Sequence, residues 1–384
     1  MMAKVNSEIG RTAIDEKVRM KLWAISGGRC ELCNRLLYQD LVFGYDGNFG
    51  EMAHIHAVSE GGPRHKYGMT IGEKNNIDNL MLLCEEHHHM IDTHSEDFKE
   101  GLLIRKKIAH EARIREVTGI PSEQSCRIIT YFSNIDNQAE FSSERLLREA
   151  VLLSGRVPMQ EPIINLSADS CTRYTASETV FQQKSQELER DFKNWFDAVI
   201  KSKDSIGIFA LAPQPLLFKL GTLINDQYNT VAFQCHRSGH KWAWPKAVAS
   251  VEFQFSNTKE GKTDALALVI DLSAPVCDDR ITFVLGDDAT IYHITIDEPS
   301  RTFVSGEIIQ EEFVKVFRAA METLKNLRPA PECIHIFPVM PNSLAVRAGM
   351  DYMPKADLPV VIYEQANQAD GFFKALTIGG QNDR

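Results

Sequence analysis

The sequence predicts a multidomain α/β protein, with a small metal-stapled part at the N-terminus and a larger layered part behind it. Three observations carry this expectation. Cys30-x-x-Cys33 and Cys84-x-x-His87 are two short pairs of metal-ligand type joined by a long loop. From about residue 150 onward, long helical patterns alternate with apolar strands, which is the pattern of an α/β domain. That half also repeats itself. IGIFALAPQPLLFKLG, from Ile206, aligns without gaps with IHIFPVMPNSLAVRAG, from Ile334, sharing Ile206/Ile334, Ile208/Ile336, Phe209/Phe337, Pro213/Pro341, Leu216/Leu344 and Gly221/Gly349. Each copy follows a long helix and precedes an apolar strand, so the duplicated unit is helix–strand–loop–helix–strand.

Taken in order, residues 12–28 read as an amphipathic helix. Thr12 and Asp15 form a capping-box pattern, Ile14, Val18, Leu22 and Ile25 give an apolar stripe, and Gly27-Gly28 ends it. Residues 51–63 read as a short strand entering a loop. Residues 75–92 read as a helix entry with its histidines in the following turns, and residues 96–119 as a closing helix. The boundary falls in the mixed stretch that follows, giving a domain over 1–120, a linker over 121–150 and a second domain over 151–384.

Composition narrows the function classes. The 384 residues are 43% hydrophobic and 24% charged, as in an ordinary globular protein. No apolar run is long enough to cross a bilayer, so no membrane partner is expected. The N-terminal residues mix acids and bases without an apolar core, and a cytoplasmic location is expected. Cys126, Cys171, Cys235, Cys277 and Cys333 are scattered and read for the most part as buried thiols, not as a disulfide framework. A net charge of −10 excludes a chain-wide nucleic-acid coat. Any DNA contact must come from a local patch or through a metal, and Arg11, Lys17, Arg19, Lys21, Arg105, Lys106, Lys107, Arg113 and Arg115 are the candidates for gripping its backbone.

The strongest chemical signal is the pair of pairs. A thiol pair alone also occurs in redox motifs. With Cys84 and His87 at the same spacing, Cys30, Cys33, Cys84 and His87 complete a tetrahedral Cys3His set for structural zinc, which staples two distant segments of a small domain. That leaves His88, His89 and His94 of the same cluster without a role.

The segments CELC, AHI, DNLMLLC and EEHHHMID resemble the HNH endonuclease family over roughly residues 11–118. The resemblance implies a ββα-metal fold in which a two-stranded hairpin and a helix grip a catalytic divalent ion, Mg2+ or Mn2+, beside the zinc. By position His54 matches the first motif histidine, Asn79 the asparagine and His88 the second histidine. Many members carry an acid directly before the first histidine; here Ala53 stands there. The expectation is that one of His54 and His56 is the general base and the other joins His88 as a ligand of the catalytic ion. Which does which is left open. Phosphodiester hydrolysis suits these types, because a neutral imidazole takes a proton from water near neutral pH. Asn79 is expected to hold that imidazole or its loop, Asp92 to accept a hydrogen bond from a ligand histidine, and His89 and His94 to orient the site or face solvent.

The duplicated half looks like a SAVED domain, a fused pair of CARF-like units that bind cyclic oligonucleotides. An HNH domain followed by SAVED resembles effectors of cyclic-oligonucleotide-based antiphage signalling (CBASS). The resemblance implies an activator, expected to be a cyclic dinucleotide, that drives homo-oligomerisation and non-specific degradation of double-stranded DNA. Strand ends and helix N-termini are where such folds bind phosphates. Candidate contacts are Arg237, His240, Lys241, Trp242 and Trp244 of HRSGHKWAWPK, with Gln214, Asn342 and Ser343 of the repeated loops. An alternative is a modification-dependent HNH restriction endonuclease whose C-terminal half reads DNA, which the acidic charge of that half disfavours. A non-catalytic zinc regulator would have no use for His54, His56 and His88.

Overall fold

The structure is a computed structural model, describing residues 13–133, 143–166, 176–199, 205–225, 228–236, 242–245, 251–365 and 371–380. The chain divides into two compact units, 1–120 and 121–384. The stretch 121–150, read from the sequence as a linker, supplies a strand and a helix to the second unit.

In the first unit α1 spans Glu16–Ile25. Its N-cap is Asp15, whose carboxylate accepts the Lys17 N–H at 2.8 Å, in place of the expected pairing with Thr12, which lies outside the described residues. Gly27 and Gly28 end it with φ of +62° and +64°, a conformation glycine adopts without strain. A loop returns through isolated bridges Arg29↔Leu36 and Gln39↔Asp46 to β1, Gly50–His54. After the one-turn α2, Ile71–Lys74, and a 3-10 turn over Ile77–Asn79 comes β2, Leu80–Cys84. DNLMLLC is therefore a turn and strand, not a helix entry: its apolar run is fully buried, and five consecutive buried residues suit a strand covered on both faces. β1 and β2 pair antiparallel from Gly50↔Cys84 to His54↔Leu80. α3, Glu85–Thr93, starts directly from the last residue of β2, and α4, Glu100–Thr118, closes the unit. Leu22, Leu37, Ala53, Ile55, Leu80, Leu82, Ile91 and Leu103 form its small apolar core.

The second unit holds two sheets. In the first, β3 (Ser125–Phe132) lies between β4 (Val157–Pro158) and β6 (Ser205–Leu211), β7 (Thr230–Phe233) follows, and β5 (Ile164–Asn165) also pairs β3, all parallel. α5 (Glu144–Leu153) and α6 (Glu178–Val199) lie between these strands in sequence, and α7 (Gln214–Ile224) joins β6 to β7. The second sheet runs β13-β12-β11-β9-β10-β8, parallel inside with antiparallel edges. Its strands are β8 (Phe253–Lys259), β9 (Lys262–Asp271), β10 (Ala289–Ile296), β11 (Ile334–Val339), β12 (Val360–Gln365) and β13 (Phe372–Ile378). α8 (Asp278–Leu285), α9 (Glu307–Lys325) and α10 (Asn342–Asp351) connect them.

The sequence repeat is a structural repeat. α6-β6-α7-β7 and α9-β11-α10-β12 share one order of elements. The copies meet where α7 and α10 pack, and the aligned glycines are the crossing point. A Cβ on Gly221 would lie 2.1 Å from the Val346 carbonyl oxygen, and one on Gly349 2.0 Å from that of Phe218. Those contacts are mutual, as a two-fold-related pair requires. One apolar cluster, including Ile208, Leu217, Phe218, Leu268, Phe317, Ile336, Leu344 and Ile362, spans both sheets and this helix pair.

Candidate functional site

In the first unit Cys30, Cys33, Cys84 and His87 come together with their ligand atoms all within 4.8 Å of one another, as the spacing predicts. Cys84 ends β2 and caps α3, so His87 follows one turn into the helix, and its Nδ1 lies 3.1 Å from the Cys84 sulfur. Cys33 and Cys84 sulfurs are 4.0 Å apart, and Cys30 lies 3.9 Å from the His87 Nδ1. Burial and the neighbouring thiols push the Cys84 thiol up to about 12, so the clustered thiols resist ionisation unless a cation is present. Three sulfurs and one imidazole nitrogen at these separations fit tetrahedral zinc.

The remaining motif residues take separate partners. Asn79 is buried and works on the backbone: its Oδ1 accepts the His56 N–H at 2.8 Å, and its Nδ2 donates to the His56 carbonyl at 3.1 Å and to the Lys74 carbonyl at 2.8 Å. It thereby ties the backbone at His56 to that at Lys74. His54 ends β1, with Nε2 3.1 Å from Asn75 Oδ1. Asn75 in turn lines an open cleft of about 550 Å3 with Lys17, Lys21, Asn76 and Ile77. His56 lies beyond the strand, so strand alternation does not govern it. It is buried, its Nδ1 2.9 Å from the Arg64 carbonyl and its Nε2 3.1 Å from Glu100 Oε1.

His88 sits between two carboxylates. Its Nδ1 is 2.6 Å from Glu51 Oε2 and its Nε2 3.6 Å from Asp92 Oδ2, the residue four further along α3. Glu51 lies two residues before Ala53 on β1 and so shares its face. Glu51 is thus an acid on the same face of β1 as the position where the resemblance expects one. At 3.6 Å Asp92 faces the His88 ring without a hydrogen bond to it, and its carboxylate accepts from Arg64 instead. Arg64 holds the cluster from behind, reaching Asp92 Oδ1 at 3.2 Å and the Ile91 and Ile55 carbonyls at 2.6 and 2.8 Å. His54, His56 and His88 are therefore not gathered into one ligand set. Among the described residues the Cys3His cluster is the one close group of metal-ligand atoms. His89 and His94 are exposed.

Of the basic residues, Lys17, Arg19, Lys21, Arg105, Lys106, Arg113 and Arg115 are exposed. Lys107 is buried and paired with Glu111, which removes it from any DNA-facing set. Arg11 lies outside the described residues.

In the second unit the repeated loops bring Gln214 to Asn342 and its neighbour Ser343, the loop residues named as candidate ligand contacts. They open α7 and α10, capped by Pro213 and Pro341. Gln214 Nε2 donates to the Met340 carbonyl at 2.7 Å and faces Asn342 Oδ1 at 3.5 Å. Two residues escaped notice. Gln234, just past β7, accepts the Ser343 N–H and Oγ–H, and Glu364 on β12 accepts the Gln214 N–H. Burial raises the Glu364 carboxyl to about 7, against the lowering effect of the Gln365 and Gln214 backbone N–H groups. Trp242 is not a stacking platform: it is 1% exposed and sits edge-on to Phe209 in the core. Trp244 stacks on Phe233 and is partly buried. Arg237, His240 and Lys241 lie outside the described residues, as does Cys171.

Residues 188–378 match the SAVED family, described as the SMODS-associated and fused to various effectors sensor domain, and form a SAVED domain. No curated protein matches the chain. Among solved structures the chain is similar to the Acinetobacter baumannii Cap4 SAVED/CARF-domain containing receptor solved with the cyclic trinucleotide 2'3'3'-cAAA. Identity is 9% and the TM-score 0.43, over 77% of this chain and 62% of that one. The Moraxella osloensis Cap4 receptor matches at 11% identity and a TM-score of 0.39, over 77% of this chain and 59% of that one. The chain thus spans less than two thirds of the length of either receptor.

Proposed function

We propose that the protein is a cyclic-oligonucleotide-gated, metal-dependent endonuclease that degrades double-stranded DNA in antiphage defence. The observation that carries the nuclease reading is His88 at the start of α3, directly behind the zinc ligand His87 and bridged between Glu51 of the hairpin and Asp92. Glu51 and Asp92 flank opposite nitrogens of the ring, so one imidazole nitrogen with the carboxylate beside it would supply two donors to a hard divalent ion, the other carboxylate orienting the ring. When bound there, Mg2+ or Mn2+ would offset charge on the scissile phosphate and on the departing oxygen.

The other residues divide the remaining work. We assign the general base to His54, on the margin of the cleft that carries Lys17 and Lys21, where a DNA backbone can lie. Asn75 orients its imidazole from the Oδ1 side. His56, with both ring nitrogens engaged inside the unit, acts as a positioning residue. In the second unit, the SAVED match over 188–378 supports a sensor role, and the adjoining N-termini of α7 and α10 form its ligand crevice at the carboxyl ends of β6 and β11. A cyclic di- or trinucleotide bound there would switch the nuclease on, through homo-oligomers.

The test is loss of supercoiled plasmid in Mg2+ or Mn2+ with a panel of cyclic di- and trinucleotides. His88→Ala and His54→Ala are expected to lower the messenger-dependent rate by about 10²- to 10⁴-fold without loss of fold. His56→Ala is expected to lower the melting temperature as well. Cleavage that survives in His88→Ala would remove the nuclease assignment.

A further inference from the structure

The two copies of the repeat are joined by a crossed pair of hydrogen bonds. Gln234 of the first copy closes the N-terminus of α10 in the second, accepting the Ser343 N–H at 3.1 Å and the Ser343 hydroxyl at 2.9 Å. Glu364 of the second copy, at the matching end of β12, accepts the N–H of Gln214, which opens α7 in the first. Each copy thus closes the other's helix.

The symmetry fails in the chemistry. The acceptor of Gln234 is fully used by Ser343. Glu364 Oε2 is shielded from solvent and has no hydrogen-bond partner among the described residues. The same holds for Gln214 Oε1 beside it, although the amide nitrogen of that side chain is engaged. Buried polar atoms are nearly always paired, and one left unpaired is costly. Both orphans are acceptors: Gln214 opens an eleven-residue helix, and Glu364 meets the backbone N–H of that same residue. The site therefore lacks N–H or O–H donors. Burial holds the Glu364 carboxyl at about 7, so it is the ionised form, present in part near neutral pH and favoured by N–H donors, that repels the phosphate of an anionic nucleotide. What such a ligand can present is the N–H edge of a base.

We propose that Glu364 determines base specificity in the cyclic-oligonucleotide crevice, accepting with Gln214 Oε1 the N–H groups on the Watson–Crick edge of one base. The proposal rests on the sensor reading above. One copy of the repeat reads a base through a carboxyl group, while the matching position in the other copy is spent on internal capping. The two halves of the crevice are then unequal, and a ligand has one preferred orientation.

The experiment is isothermal titration of the full chain with cyclic di- and trinucleotides carrying adenine, guanine, cytosine or uracil. The tightest ligand is then compared with analogues in which the Watson–Crick N–H groups of one base are deleted. Against the wild type, one analogue is expected to bind about 10- to 100-fold more weakly. Glu364→Gln keeps the shape and one acceptor but turns the other into a donor. It is expected to weaken the parent ligand by a similar factor and to lose the discrimination against that analogue. The analogue arm needs no variant, so a misfolded Glu364→Gln protein does not void the test. Equal binding of parent and every analogue to the wild type would overturn the proposal, as would Glu364→Gln binding within threefold of wild type with unchanged preference. If the wild type binds no member of the panel, the sensor reading itself fails and the assignment of Glu364 falls with it.

Discussion

The two units solve the problem of holding a site by different means. The first has a small core and draws its distant segments together through a Cys3His cluster, with its polar residues packed into the hairpin and helix that adjoin it. The second has one large apolar cluster across two sheets, and its polar site is confined to the ends of two helices that this cluster locks in place. In the small unit the residues that carry structure and those proposed for chemistry are neighbours in sequence, as His87 and His88 are. In the large unit structure comes from apolar residues throughout, and the chemistry falls on a few side chains from different strands.

Disrupting each unit's own fastener should break this contrast most sharply. Cys84→Ser, or chelation, is expected to unfold the first unit alone. Structural zinc supplies on the order of 10 kcal/mol to comparable small domains. Zinc content near one ion per chain should fall to none, and limited proteolysis should degrade residues before 120 while sparing a fragment from 121 onward. A fragment lost along with the first unit would show that the units do not stand independently.

The counterpart in the second unit is Gly349→Ala. A methyl group there would meet the Phe218 carbonyl, and a backbone cannot yield as a side-chain tip can. About 3 kcal/mol is expected, read as a fall in the urea midpoint, with Gly221→Ala giving a similar loss from the other side of the crossing. A smaller cost follows for Asn79→Ala, which leaves the His56 N–H and two buried carbonyls unpaired: about 2 kcal/mol, confined to the first unit and seen as faster amide exchange around residues 54–57.

The finest test is pH. His293 is buried between Asp271, 3.3 Å from its Nδ1, and Asp278, 2.9 Å from its Nε2. Burial disfavours its charge, but the two carboxylates outweigh burial and raise its pKa above the usual histidine value. A raised folded-state pKa contributes stability that is full below the unfolded value of about 6.5 and is lost as pH rises through the folded value. The second unit is therefore expected to lose stability on passing upward from pH 6, and His293→Gln to flatten that slope in urea titrations.

What could be read in the sequence follows the same division. The zinc set was legible because four ligand types at fixed spacing leave few other uses, and the repeat because Gly221 and Gly349 are irreplaceable where two helices touch. Glu51 was hidden by looking directly before His54, although a strand places residues 51 and 53 on one face. Trp242 was misread because a tryptophan among basic residues looks like a stacking surface, whereas its indole fills the core against Phe209. Gln234 and Glu364 could not be found at all from one chain, since their meaning depends on strands of one copy meeting helices of the other.

Messenger-dependent cleavage is the most direct test of the account. The full chain would be given plasmid DNA in Mn2+, and the rate measured with and without the cyclic oligonucleotide that binds it most tightly. A rate at least about 100-fold higher with the messenger, corresponding to a coupling of roughly 3 kcal/mol, is the predicted result. Equal rates in its presence and absence, at saturating ligand, would contradict the coupling of sensor to nuclease.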